Sequence, residues 1–237
     1  WPRRFAGNYY PFRLGDITNH EALEPLPLTM GEGYVMPRLG STANPLRTAV
    51  LISGGGSGLA ALLEYQNSNP CSHSTVLVIS DTHEAGGLGH GRAVGIKSIG
   101  IPIPQGPSGR REHEEMIQEE LESEDIELVV LSGYMRILTP EFVSTWKGRL
   151  VNIHPSLLPD FPGAHAHRDA LAAGATVSGC TVHLVDEGVD SGRILEQREV
   201  PVLSNDTEAD LQERIKAAEH KLYPLALDKL STGSYSL

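Results

Sequence analysis

Apolar positions fall into two regimes along this chain. From residue 48 onward, short runs rich in Val, Ile and Leu alternate with stretches of helical spacing. Candidate strands lie at 49–53, 75–80, 99–103 (the weakest), 128–132, 150–153, 180–185 and 193–200. Candidate helices lie at 59–66, 110–123, 140–146, 168–173 and, as a long last element, from Glu208 onward. The third has Thr139 as its N-cap and Pro140 at its first helical position. Apolar strands separated by helices predict an α/β fold, a doubly wound and mostly parallel sheet covered on both faces. Up to Arg47 neither period appears, and the stretch holds six of the sixteen prolines and six of the thirteen aromatics. Its Trp1, Phe5, Tyr9, Tyr10 and Phe12 are too apolar for a bare linker, so it reads as an irregular arm that packs on the domain or on a neighbour. The predicted division is residues 1–47 as extension and 48–237 as the globular domain.

Composition narrows the function classes. With 237 residues, 40% hydrophobic and 21% charged, the chain suits one domain plus an appendage. No apolar run approaches the roughly 18–20 residues that span a bilayer. A net charge of -11 argues against holding nucleic acid by phosphate neutralisation. Nine acids between Glu112 and Glu127 fall at the spacing of an outer helix face and predict a solvated surface. Cys71 and Cys180 form no CxxC pair, so neither a disulfide framework nor a zinc site is expected, and the cytoplasm is the default compartment. The chain begins at Trp1 without an apolar signal core, a start that reads as processed or partial.

Three constellations carry candidate chemistry. After the first strand of the domain comes Gly54-Gly55-Gly56-Ser57-Gly58 and then a helix, so bare amides and a helix N-terminus face whatever sits above the strand's carboxyl end. No Lys follows the last Gly as a P-loop requires, and a phosphate monoester fits better than a dinucleotide. The second is Asn152-Ile153-His154-Pro155-Ser156-Leu157-Leu158-Pro159. In an extended segment Asn152 and His154 share a face while Ile153 turns to the core. An amide and an imidazolium converging on one point suit a carbonyl under attack, which is acyl-transfer chemistry. The third is the acidic loop Val185-Asp186-Glu187-Gly188-Val189-Asp190-Ser191-Gly192, where a carboxylate could hold His154 protonated or relay a proton to a leaving group. His165-Ala166-His167 lacks a third ligand at metal spacing and reads as a packed or substrate-facing pair. His183 reads as a histidine at the core's edge.

With these residues in hand, the run from Thr48 to about Leu230 resembles the phosphoribosylglycinamide formyltransferases, folate-dependent enzymes of purine biosynthesis. The resemblance is carried by Val50-Leu51-Ile52-Ser53-Gly54 with the glycine loop and by Gly133-Tyr134-Met135-Arg136-Ile137-Leu138. It continues through Asn152 to Pro159, Cys180-Thr181-Val182-His183, Val189-Asp190-Ser191-Gly192 and Ala218-Glu219-His220-Lys221-Leu222-Tyr223-Pro224, all in the family's order. It implies a Rossmann-like formyltransferase domain that takes 10-formyltetrahydrofolate as co-substrate, needs no metal, and formylates the amine of glycinamide ribonucleotide. Asn152, His154 and Asp190 match the catalytic trio. Gly56, Ser57 and Gly58 match the phosphate loop, and Glu219 matches a ribose-contacting residue. Arg110 matches an arginine near substrate and cofactor, and Met135, Arg136, Ile137 and Leu138 match the pterin cleft together with backbone of Asp186, Glu187, Gly188 and Val189. The expected partners are small molecules, with no nucleic acid or membrane, and the expected state is a monomer or weak homodimer.

Departures from the family's pattern are visible too. Gly58 stands where Asn is usual, Ser132 where Ala is usual, and the stretch from Thr82 to Gly95 differs from the usual Asn-Lys sequence. The extension has no counterpart in single-domain members, and the remnant of a fusion partner is one reading of it. Formyltetrahydrofolate hydrolases share the trio but lack Pro at the place of Pro155. Methionyl-tRNA formyltransferases require a second, basic domain. A catalytically silent module that binds folate or a phosphorylated ligand is the remaining alternative, against which the intact trio speaks.

Overall fold

A computed structural model describes Leu28–Thr29, residues 34–36 and residues 38–235. Seven strands form one sheet in the order β5-β4-β3-β6-β7-β8-β9, where β3 is Leu46–Ile52, β4 His73–Ser80, β5 Lys97–Gly100, β6 Leu128–Leu131, β7 Leu150–His154, β8 Val177–Leu184 and β9 Ile194–Pro201. Pairing is parallel from β5 through β7 and antiparallel for β7 with β8 and β8 with β9. A two-stranded antiparallel pair, β1 (Leu28–Thr29) and β2 (Val35–Met36), precedes the sheet.

The alternation of side chains along the inner strands explains the layers. Val50, Ile52, Leu128, Val130 and Val151 face one apolar cluster, which takes in α1 (Ser57–Ser68), α2 (Leu88–Ala93), α5 (Ala166–Ala172) and α6 (Glu208–Ser231). Ala49, Leu51, Val129, Leu131 and Leu150 face the other, with α3 (Gly109–Ser123) and α4 (Pro140–Thr145). Both faces are covered, so the strands read as near-continuous apolar runs rather than as alternating ones. Chain order departs in opposite directions from β3, to β4 and β5 on one side and to β6 and β7 on the other. That reversal opens a crevice at the carboxyl ends of β3 and β6, the place where such sheets bind ligands.

Local signals account for the helix ends. Thr139 Oγ1 accepts from the Phe142 amide at the start of α4, and Thr207 and Asp210 close a capping box on α6. Tyr223, buried on α6, directs its hydroxyl to the carbonyls of Leu131 (2.9 Å) and Val151 (3.0 Å), fixing the helix to the centre of the sheet. Replacing Tyr223 by Phe leaves those carbonyls without their donor and is expected to lower unfolding stability by about 1–3 kcal/mol in urea denaturation. An unchanged midpoint would contradict that role.

All seven candidate strands are present, but the first begins at Leu46, and α5 begins at Ala166 rather than Arg168. The helix α2 is not among the elements that apolar spacing predicts. Its Gly89 and Gly91 are poor helix formers. A Cβ on Gly91 would fall 2.3 Å from Ser98 Oγ and 3.0 Å from Val78 Cγ2, so close packing on the sheet, not propensity, sets this helix. The acidic face of α3 is likewise not uniformly solvated. Glu114 is buried and accepts from the amide and hydroxyl of Thr139, while Glu120 and Glu124 pair with Lys97. Glu127, just before β6, takes a forked contact from Arg38, 2.6 Å to Nε and 2.7 Å to Nη2. With Gly40 N bonded to Ser231 O and Met36 fully buried, the described end of the extension is packed on the domain. Trp1, Phe5, Tyr9, Tyr10 and Phe12 lie outside the described residues.

Candidate active site

The antiparallel register of β7 and β8 sets Asn152 opposite His183 and His154 opposite Thr181. From there a continuous polar chain runs through Asp190. Asn152 Nδ2 lies 3.3 Å from His183 Nε2, His183 Nε2 lies 3.6 Å from Asp190 Oδ1, and Asp190 Oδ2 lies 3.2 Å from His154 Nδ1. His183 Nδ1 donates to the Leu184 carbonyl (3.0 Å), and its Nε2 stands between the Asn152 amide and the Asp190 carboxylate. His154 Nε2 donates to the Phe161 carbonyl at 2.9 Å. Asp190 takes the Gly163 amide at 2.8 Å and holds a left-handed backbone with φ 51°, a conformation Asp and Asn tolerate best among residues with side chains other than Gly. Asn152 and His154 do share a face, but Asp190 and His183 join them rather than a direct contact.

Burial and charge oppose each other in this chain of groups. Burial is the largest effect on His154 and sets its pKa below 6.5, with the Phe161 carbonyl and the Asp190 carboxylate pushing back toward the charged ring. Burial also pushes Asp190 up, but its bond to His183, the Gly163 amide and the two imidazoles outweigh it and hold the carboxyl below its ordinary 3.8. His73, His113, His167 and His220 are lowered as His154 is, burial being the foremost cause in each. A lowered folded-state value means that the unfolded chain binds more protons just below 6.5, so these five groups withdraw stability as the pH falls through that window. Glu219 acts the other way between 4.5 and its raised value of about 7. Five groups against one predict a melting temperature that drops from about pH 7.5 to about pH 5.5. A flat or rising scan by differential fluorimetry would contradict it.

A cleft opens beside this network. It lies on the side of α3 and α4, measures about 150 Å³ and is lined by Arg136, Ile137, Leu138, Asn152, His183 and the acidic loop from Asp186 to Asp190, among others. The loop keeps its shape because Asp186 Oδ1 accepts from the Gly188 amide and the Ser191 hydroxyl. Ile137 and Val189 expose large apolar surface there, 69% and 58%. The Arg136 Nε is tied to Asp81 at 2.5 Å, leaving the backbone and side chains beside it to form the wall. Met135 does not line the cleft; it is 73% exposed and its amide donates to Ser53 Oγ. Arg110 is exposed on the first turn of α3 and is not in the lining either.

On the side of α1 and α6, the glycine loop leaves β3 at the crevice. Gly56 is the N-cap of α1 with φ 68°, and a Cβ there would sit 2.7 Å from the Gly87 Cα, so this turn requires glycine. Glu219 lies on α6 on that same face, half-buried, its pKa pushed up to about 7 by burial with only the charge of Lys216 pulling it down. Lys216 also acts on His167 and His220. It is not among the residues expected from the sequence, although it falls three positions before Glu219 and therefore on the same helix face. His183 is expected at the core's edge, whereas the structure sets this ring between Asn152 and Asp190. The only signal for that place is the register of β7 against β8, which a single sequence does not print.

A groove of about 460 Å³ between α3 and α4 holds none of the predicted site residues. Among the described residues one group could hold a metal by geometry, Cys71, His73 and Asp228, with ligand atoms within 4.8 Å of one another. It lies at the amino end of β4, away from the crevice, and Gln66 Nε2 donates to His73 Nδ1 at 2.8 Å. That bond puts the neutral ring's proton on Nε2, the atom a metal would need bare, and Asp228 already accepts from Tyr65 and Ser72.

Comparison with known proteins places this geometry in a family. A profile described as formyl transferase matches residues 46–227. The chain is 45% identical over 191 residues to the human trifunctional purine biosynthetic protein adenosine-3, covering 81% of this chain and 19% of that protein. It is 38% identical over 188 residues to the phosphoribosylglycinamide formyltransferase of Escherichia coli (strain K12), covering 79% of this chain and 88% of that one. The chain thus spans less than a fifth of the trifunctional relatives it matches. Among solved structures, glycinamide ribonucleotide transformylase 1 from Symbiobacterium toebii superposes with a TM-score of 0.77 at 41% identity, over 80% of this chain and 89% of that one. With that match over residues 46–227 and that likeness of fold, the chain belongs to the formyl transferase family.

Proposed function

We propose that this chain transfers the formyl group of 10-formyltetrahydrofolate to the amine of glycinamide ribonucleotide, a step of purine biosynthesis, and works in the cytoplasm. The observation that carries this reading is the Asp190 carboxylate, which joins His154 to His183 and Asn152 at the cleft. The names of the bacterial and trifunctional relatives support the choice of substrate.

In this reading the pterin occupies the cleft formed by Arg136, Ile137, Leu138 and backbone of Asp186, Glu187, Gly188 and Val189, with Met135 at its outer side and Arg110 beyond it. The ribonucleotide phosphate lies on the amides of Gly56, Ser57 and Gly58 at the start of α1. Glu219, with a pKa of about 7, can both accept and donate hydrogen bonds to ribose hydroxyls near neutral pH. The amine attacks the formyl carbon. The second hydrogen of the Asn152 amide and the His154 Nδ1 proton, now shared with Asp190, turn to the developing oxyanion, while Nε2 stays on the Phe161 carbonyl. Collapse breaks the bond from carbon to N10, and Asp190 passes the proton lost by the attacking nitrogen to N10 through water. The His183 bond keeps Asn152 turned toward the reacting carbon.

The test is the rate of deformylation of 10-formyltetrahydrofolate with and without glycinamide ribonucleotide. Strict dependence on the ribonucleotide is expected. Equal release without it would replace the reading by a hydrolase, and binding without release by a silent module.

A further inference from the structure

The two single-residue departures noted in the sequence, Gly58 and Ser132, face each other. Gly58 is the second residue of α1, and Ser132 directly follows β6, so they meet across the crevice where the strand order reverses. A Cβ built on Gly58 would stand 2.5 Å from Ser132 Oγ, closer than a real Cβ comes. A side chain at 58 would therefore require the Ser132 hydroxyl to leave its present position.

The hydroxyl is also idle. Ser132 is only 8% exposed, and its amide donates to the Leu51 carbonyl at 2.9 Å, but its hydroxyl makes no hydrogen bond with a described residue. It is not one of the fully enclosed polar atoms, so it reaches the solvent of the crevice and is open to a ligand bound there. Its direction identifies the side. Val130 faces the α1 and α6 cluster and Leu131 the opposite one, so Ser132 points with Val130, toward the first turn of α1 and the Glu219 face of α6 and away from the pterin cleft.

We propose that Ser132 is a positioning residue for the ribonucleotide: its hydroxyl donates to the phosphate and ribose end held by the first turn of α1, and Gly58 is the space that admits it. This deepens the proposed function and rests on it. The two departures are then a single exchange, in which a group on β6 replaces whatever a side chain at 58 would contribute.

The test compares wild type, Ser132→Ala, Gly58→Asn and the double variant by steady-state kinetics in both substrates. Ser132→Ala should raise KM for glycinamide ribonucleotide about fivefold, the worth of one net hydrogen bond. KM for 10-formyltetrahydrofolate and kcat should stay within about twofold, a split that a general loosening of the fold would not produce. Gly58→Asn should cost more in the wild-type background than in the Ser132→Ala background, because only the hydroxyl blocks its Cβ. An unchanged KM for the ribonucleotide in Ser132→Ala, or a Gly58→Asn penalty equal in both backgrounds, overturns the proposal. If Gly58→Asn alone does not fold, the split in Ser132→Ala still decides. A wild type whose deformylation ignores the ribonucleotide overturns the functional reading and this one with it. A wild type that depends on it while Ser132→Ala matches it in KM overturns this one alone.

Discussion

Replacing His154 by Ala lowers kcat/KM by about 10²- to 10³-fold while the affinity for 10-formyltetrahydrofolate stays close to that of the wild type. The asymmetry follows from placement. His154 is 4% exposed, does not line the pterin cleft, and presents Nδ1 to Asp190 while Nε2 is held by the Phe161 carbonyl. It therefore has little to offer the bound folate before reaction and a charged donor to offer once an oxyanion develops. Removal also takes one partner each from the Phe161 carbonyl and Asp190, so the melting temperature should fall, and kinetics are to be read well below it. Folate affinity by fluorescence titration together with single-turnover rates separates the two effects. Equal losses of affinity and rate would show that His154 holds the ground state instead.

Asp190→Asn is the second large effect, a loss of about 10²-fold or more in kcat with a change in the shape of the pH profile. Asn suits the left-handed backbone at this position and can still accept from the Gly163 amide, so the variant changes charge with little change of form. In the wild type Asp190 stays ionised through the neutral range and favours the protonated His154 ring against burial. Without that charge the His154 pKa falls further. Activity that needs the protonated ring is lost as the pH rises through its pKa, so the alkaline limb of the kcat profile moves to lower pH in the variant. A profile that keeps the wild-type limb at a reduced rate would mean that Asp190 acts on the leaving group only.

How much of this could be read in the sequence differs between the sheet and the site. The inner strands were legible because both faces are buried, which makes 49–52 and 128–131 apolar without interruption, and the Thr139-Pro140 cap announced α4. The helix Leu88–Ala93 was not, because two glycines lower its propensity while close packing on β4 and β5 offsets the loss. At the site, period-two geometry along β7 was enough to put Asn152 and His154 on one face. What it lacked was the partner strand. His183 and the Gly163 amide reach Asp190 through antiparallel pairing and loop closure, neither of which leaves a local pattern. The same holds for Gly58 and Ser132, 74 positions apart, which appear as two isolated oddities until the strand reversal brings them together.

The central claim is that the formyl carbon passes to an amine held by this chain. Its most direct test is to supply 10-formyltetrahydrofolate carrying ¹³C in the formyl group, with glycinamide ribonucleotide, and to follow the label by NMR. The account predicts that the label moves to the amide of the formylated ribonucleotide in equal amount to the folate released, with none as formate. Label recovered as formate, with the ribonucleotide unchanged, would contradict it.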